Sequence, residues 1–244
     1  AAQNQRALPW NTVTLAAALQ AAGYDTAITG KWHLGSLPEQ GPQKFGFDHG
    51  YGSLAGGVGP YDHRYKEGPF TRTWHRDGKL VEEQGHVTDL IAREAVEWLE
   101  SRGERPFFLY VPFTAIHVPM NEPEKWREAN KHLSDPGQRL RAACTTHMDD
   151  AVGQVLAVLD RKKLRENTVV LFFGDNGAHS PQDNQGGPYP GEYEHHQVGN
   201  DNRPWRGHKS SVYEGGIRMA GLVSWPSRLQ AREVSVPMHV VDWM

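Results

Sequence analysis

Asp25-Thr26-Ala27-Ile28-Thr29-Gly30-Lys31-Trp32-His33 is a short run that begins as a strand, stops on a glycine and passes at once into a lysine and a histidine. The same pattern recurs twice. The apolar run Phe107 to Phe113 leads into Ala115-Ile116-His117-Val118-Pro119, and Thr168 to Phe173 leads into Gly174-Asp175-Asn176-Gly177. A further strand is expected over Gly221 to Trp225. Helical spacing fills the intervals. Asn11 or Thr12 is placed to cap a helix carrying Leu15, Ala18, Leu19 and Ala22, with Gly23 as its stop. Leu90, Ile91, Ala95, Trp98 and Leu99 share one face of a helix over about Val87 to Ser101, and a third is expected from about Gln138 to Asp160. Strands alternating with helices predict an α/β fold, a mainly parallel central sheet with helices on both faces. In open sheets of that kind, ligands bind beyond the carboxyl ends of the strands. Three polar clusters at that edge therefore predict one composite site.

The bulk composition sets limits on partners. The chain has 244 residues, 38% of them hydrophobic, with eight Trp, eight Tyr and eight Phe. That is ample for a buried core and unlike a disordered chain. The formal net charge is −3 without a long run of one sign, which argues against nucleic acid as a partner. Any anion must be held by local groups. No apolar run reaches the roughly 18 residues of a membrane span. The single cysteine, Cys144, allows no intrachain disulfide. No repeat or low-complexity linker divides the chain, so residues 1–244 read as one domain. Both ends, at Ala1 and at Met244, read as cut, so the domain is expected to be partial.

Each cluster has a functional and a bland reading. Lys31 and His33, two apart in an extended segment, face one side and suit an oxyanion; equally, they suit a solvated lysine and a histidine packed on Trp32. His117, directly after an apolar strand, suits a general acid or a histidine bonded to backbone. Asp175 beside Asn176 offers hard oxygen ligands of the kind Ca²⁺ or Mg²⁺ takes, or simply an Asx turn. Two ligands fall short of the six to eight of Ca²⁺, so the rest must come from elsewhere. Lys209 suits a second anion clamp or the surface. Glu214-Gly215-Gly216 after it implies a place where backbone comes very close to something. Other features resemble sites less well. Asp149 and Asp150 diverge by about 100° on a helix. Cys144 sits among small apolar helix positions, His195-His196 lies in a polar loop, and Gly56-Gly57 opens no helix as a phosphate loop would.

Taken in order, these segments resemble the type I sulfatases of the alkaline phosphatase superfamily. The resemblance is carried by AAGYDTAITGKWHLG, KFGFDHGYG, FFLYVPFTAIHVP, HMDDAVGQVL, TVVLFFGDNG and RGHKSSVYEGGIR, from about residue 10 to 244. The stretch NRPWRGHKSSVYEGGIR is most similar to the N-acetylgalactosamine-4-sulfatase (arylsulfatase B) branch. The resemblance implies that Lys31 and Lys209 bind sulfate oxygens and that His33 bonds to the nucleophile. It implies that His117 lies at the ester oxygen and that Asp175 and Asn176 are two ligands of Ca²⁺. The implied substrate is a sulfated glycan or small aryl sulfate, and the implied compartment is outside the cytoplasm, by export.

The departures are as informative. The family nucleophile is a formylglycine made from a C/S-x-P-x-R motif preceding the GKWHLG segment, and none precedes it here. Ser224-Trp225-Pro226-Ser227-Arg228 satisfies the string but follows the EGG segment, so it is expected to be the end of a strand. The family's Asp-Asp pair of metal ligands is also missing, as is its C-terminal subdomain. The chain by itself is therefore expected to bind Ca²⁺ weakly and to lack turnover. Two rival readings are a phosphodiesterase or phosphatase of the same superfamily and a non-catalytic anion-binding relative.

Overall fold

A computed structural model describes residues 7–199 and 201–243; residues 1–6 and Met244, read above as cut ends, lie outside the described residues. The elements are α1 (Leu15–Ala21), β1 (Asp25–Lys31), β2 (His49–Ser53), β3 (Trp74–Arg76), β4 (Lys79–Leu80), α2 (Val87–Glu100), β5 (Phe107–Tyr110), α3 (Glu124–Ala129), α4 (Pro136–Arg161), β6 (Val170–Phe173), α5 (Glu214–Ile217) and β7 (Gly221–Ser224). Five strands form one sheet in the order β4-β3-β2-β1-β5. The central strand β1 runs parallel to both β2 and β5, while β3 and β4 add an antiparallel edge.

Alternation along β1 explains why both faces are covered. Ile28 points into a cluster with Ala16 of α1, Trp32, Phe45, Phe47 and Leu54. Its neighbour Ala27 points the other way, onto Trp98 and Leu99 of α2 and Val158 and Leu159 of α4. Ile91, fully buried on α2, packs with Tyr51, Val58 and Trp74. Deleting a side chain of that kind from a core costs about 2–5 kcal/mol.

Several expectations change. α1 is capped by the Thr14 side chain, which accepts from the Ala17 N–H, and not by Asn11 or Thr12. Its buried residue is Ala16, so the stripe faces the core one position off the expected one. Gly23, at φ +90°, ends it as read, in the left-handed conformation that glycine adopts most readily. Phe107 to Tyr110 is half-buried to exposed, since β5 is paired only with β1. β6 does not join the five-stranded sheet; it pairs antiparallel with β7. No helix among the described residues is long and apolar enough to cross a membrane.

Candidate active site

The GKWHLG turn is built from strand geometry and one anchor. Lys31 closes β1, and its backbone N–H donates to Pro112 O at 2.8 Å. Gly30 makes this possible: at φ +139° a Cβ there would lie 2.1 Å from Pro112 O. Trp32 is buried, its indole N–H donating to Gln40 O at 3.0 Å, and Phe45 and Phe47 pack on its ring. Beyond it the chain keeps its hydrogen bonds, Trp32 N to Ser53 O and His33 N to Leu54 O. His33 nevertheless leaves the extended conformation, at φ +58°. The expectation that simple strand alternation aligns Lys31 with His33 is thus not what orients them. The His33 ring lies instead on Gly56, where a Cβ would stand 2.3 Å from Nε2.

His117 follows β5 in a segment without regular secondary structure. Its Nδ1 donates to Val118 O at 2.6 Å, which puts the ring proton there and leaves Nε2 with the lone pair in the neutral form. Gly57 lies beside the ring but makes room for Tyr189: a Cβ there would meet the Tyr189 hydroxyl at 2.7 Å and only touch His117 Nδ1 at 3.5 Å.

Asp175 and Asn176 follow β6 directly. The Asn176 amide nitrogen donates to Gly177 O, which leaves its carbonyl oxygen as the end that can serve as a ligand. Gly177 seats this loop on the EGG turn. Its N–H donates to Gly216 O at 2.8 Å, and a Cβ on it would stand 1.8 Å from Gly215 O. The close backbone approach expected of Glu214-Gly215-Gly216 is therefore the docking of the DNG loop, although 214–217 form a helical turn. The same docking brings in Lys209, whose N–H donates to Ala178 O at 3.0 Å.

Electrostatic reach ties the five charged or titratable residues together. Burial lowers the Lys31 ammonium, the charge of Lys209 lowers it further, and Asp175 opposes both. His33 is pushed down to about 4 by the protein packed around its ring and then by Lys31 and Lys209, against Asp175. His117 is likewise pushed down to about 4, by burial first, then Lys31 and Lys209, again against Asp175. Burial and then the Asp175 charge raise the Tyr110 phenol, which sets the end of β5 beside the DNG loop. The surroundings of both rings are thus cationic, and the two histidines are held toward the neutral form. Such an arrangement suits a tetrahedral anion.

The fit to a divalent cation is partial. Asp175 and Asn176 are two hard oxygen donors side by side, and the only group of three or more His, Cys, Asp or Glu at metal-ligating distance among the described residues lies elsewhere, at His86, Asp89 and His147. Ca²⁺ would need four or more further oxygens. The features set aside in the sequence remain outside the site. Asp149 and Asp150 are exposed on α4. Cys144 is buried, and burial raises its thiol well up, away from the reactive thiolate. His195 and His196 face Asp183 and Glu194 in the surface loop. Ser224 is paired with Val170 at the start of β6, whereas Gly221 is paired with Phe173, next to the DNG loop. The SWPSR string therefore leaves the far end of the β6–β7 pair, and Ser224 Oγ is engaged by Arg165 at 2.6 Å. What the sequence reading missed is Gly56 as the bed for the His33 ring. The available signal was a glycine pair with no turn to explain it.

Comparison with known proteins agrees in fold and in order of segments. A family model described as Sulfatase matches residues 2–244. N-acetylgalactosamine-6-sulfatase of Canis lupus familiaris is 34% identical over 232 residues, covering 89% of this chain and 40% of that protein. Arylsulfatase G of Rattus norvegicus is 32% identical over 263 residues, covering 95% of this chain and 47% of the relative. The solved structure of Ps i-CgsB in complex with k-i-k-neocarrahexaose superposes with a TM-score of 0.77 at 27% identity, covering 91% of this chain and 49% of that one. PsFucS1 sulfatase from Pseudoalteromonas sp. shares the fold at a TM-score of 0.71 and 23% identity, over 92% of this chain and 48% of that one. The chain thus spans 40% to 47% of the length of these curated relatives. With its matched residues running from one end of the chain to the other, the chain belongs to the sulfatase family.

Proposed function

We propose that the protein carrying this chain hydrolyses sulfate esters of a sulfated carbohydrate or an aryl alcohol, and that residues 1–244 are part of its catalytic α/β domain. What supports this is the family match together with the electrostatic setting in which Lys31, Lys209 and Asp175 all act on His33 and His117. Lys31 and Lys209 hold the non-bridging sulfate oxygens. His117 is neutral without a ligand because burial and the two lysines disfavour its charge. A bound sulfate monoester offsets those lysine charges, so the ring gains a proton on Nε2 as the ester binds. That proton passes to the bridging oxygen as the S–O bond breaks, and the alcohol leaves neutral. His33 aligns the attacking group.

The nucleophile of this reading would be a formylglycine outside the chain, which would supply the oxygen that attacks sulfur. Asp175 and Asn176 would hold a divalent cation, read as Ca²⁺, whose charge would stabilise the sulfate oxygens. Support for a glycan substrate comes from the relatives: one is named for N-acetylgalactosamine 6-sulfate, and one solved structure holds a neocarrahexaose. Export from the cytoplasm is part of the same reading.

The test has two arms. Calorimetry of this chain with inorganic sulfate gives proton uptake near neutral pH, and Lys31→Ala or Lys209→Ala abolishes the binding. In the full-length protein, Lys31→Ala, Lys209→Ala or His117→Ala each lowers aryl sulfate turnover by about 10²–10³-fold. Ser224→Ala leaves it unchanged. Turnover by the bare chain that Ser224→Ala removes would overturn the assignment of the nucleophile.

A further inference from the structure

One carboxylate outside the pocket gathers three parts of the fold. Glu122 is 4% exposed. Its Oε2 accepts from His147 Nδ1 of α4 at 2.8 Å, and its Oε1 lies 3.5 Å from Nε2 of His86, the cap residue of α2. The Cys144 thiol, also on α4, is raised by burial and by the charge of this carboxylate. His147 Nε2 donates in turn to Asp89 of α2 at 3.0 Å. Trp126 of α3 stacks on the His147 ring at 5.1 Å, and the His86 ring packs on it at 4.6 Å.

His86, Asp89 and His147 offer atoms within 4.8 Å of one another, as a metal site would. The protons decide against that reading. His86 Nδ1 accepts from the Thr88 N–H at 3.2 Å, so its own proton sits on Nε2, the atom a metal would need. Both His147 nitrogens face carboxylates, so that ring holds two protons and is an imidazolium. Burial opposes this charge, but the hydrogen bonds to Asp89 and Glu122 overcome it and hold His147 up at about 9. Burial likewise works against the Glu122 carboxylate, and the hydrogen bond from His147, together with the His86 ring 3.5 Å away, holds it down at about 2. Two cations of α3 lie near the cluster: Lys125 acts on Asp89, and Arg127 Nε donates to the Glu122 backbone carbonyl at 3.0 Å.

The cluster is connected to the pocket by the chain itself. Residues 114–122 contain no helix or strand and carry His117. Their pins come from side chains. Asn184, fully buried, exchanges both its amide groups with the backbone of Met120, at 2.8 and 2.9 Å. Glu122 is the second pin. His117 and Glu122 line one cavity of about 10 Å³ together with His86, Thr114 and Cys144. That slack is no more than about one water, so a shift of one wall is felt at the other.

We propose that the Glu122–His147 pair is a charged anchor that positions His117, fixing the far end of the segment whose near end leaves β5. The anchor rests on reading His117 as the proton donor of the proposed reaction, and its test separates the two. In histidine-labelled NMR of this chain, His147 keeps its proton beyond neutral pH, and His117 gives one resonance with its Nδ1–H bonded. Glu122→Gln keeps the shape and removes the charge. Titration of His147 then falls back toward about 6.5, and the His117 signal shifts or splits while the rest of the spectrum holds. Glu122→Asp restores part of both. In the full-length protein Glu122→Gln lowers kcat by about 10²-fold with little change in KM. Should Glu122→Gln fail to fold, Asp89→Asn loosens the same ring from its exposed side and gives a smaller His117 shift. An unmoved His117 signal beside a collapsed His147 titration overturns the anchor. So does Zn²⁺ bound tightly through His86 and His147. A shifted His117 in a protein without sulfatase activity keeps the anchor and sinks the function.

Discussion

Two glycines at the pocket carry opposite kinds of constraint. A Cβ on Gly56 would strike His33 Nε2 at 2.3 Å, the tip of a side chain that can swing into solvent. A Cβ on Gly177 would strike Gly215 O at 1.8 Å, which is backbone and cannot turn away. Gly56→Ala should therefore leave the thermal midpoint nearly unchanged, within about 1 kcal/mol of stability. It should release His33 from the pocket, and the ring, now held at about 4, should titrate closer to 6.5 by NMR. Gly177→Ala should destabilise the docked DNG loop by about 1–3 kcal/mol. Equal melting losses for the two variants would contradict this contrast. At this scale the sequence was most legible. Lys31, His33 and His117 were singled out because strand ends are where an α/β sheet presents polar groups, and the structure places them after β1 and β5. Gly56-Gly57 was noticed but not placed, because a glycine pair does not say which residue's ring lies on it.

At the scale of elements, the helices were legible and the strand neighbours were not. The periodic faces of α2 and α4 gave ends within about two residues, as long amphipathic segments do. Leu171, Phe172 and Phe173 correctly gave a strand, but apolarity does not name its partner, and β6 pairs with β7 rather than with the main sheet. The salt link between α2 and α4 through His147 was also invisible, since its members Asp89, Glu122 and His147 are far apart in sequence. It leaves a pH signature. The folded pKa of His147, about 9, lies above its ordinary 6.5. Its contribution is complete below pH 6.5 and is lost as pH rises through 9. Glu122, held at about 2, contributes above its ordinary 4.5 and loses this only as pH falls toward 2. His75 and His117 work in the opposite sense on the acid side. Burial depresses both to about 4, so the unfolded chain binds their protons first and stability falls from pH 6.5 down to 4. Thermal melts should thus peak near pH 6.5 and decline on both sides. The double variant His147→Gln with Glu122→Gln should flatten the alkaline limb and leave the acid limb. A wild-type midpoint that stays level from pH 6.5 to 9 would sink the assignment of charge to this pair.

For the whole molecule the deciding fact is where apolar surface meets water. The five-stranded sheet buries both faces of β1, yet the β6–β7 pair does not bury its own. Phe172 is 45% exposed and Leu222 is 67% exposed, and the two are cross-strand partners, so they lie on one face. Leu171 and Phe173, which alternate onto the opposite face of β6, are exposed as well. Contiguous apolar surface of this kind is uncommon on soluble monomers and drives association. This chain in isolation should therefore bind a hydrophobic dye such as ANS and show an apparent mass that rises with concentration. Phe172→Lys with Leu222→Lys should weaken both effects. It should do so without lowering the melting temperature, because these side chains already stand in water and exposed substitutions shift stability by only about 0.5 kcal/mol. The contrast with the core is the control: Ile91→Ala, on a fully buried side chain, should cost about 2–5 kcal/mol and leave association unchanged. A chain that stays monomeric and dye-free at high concentration would mean that the β6–β7 face is covered in solution by the chain's own residues. The lysine pair would then lower the melting temperature instead of leaving it alone.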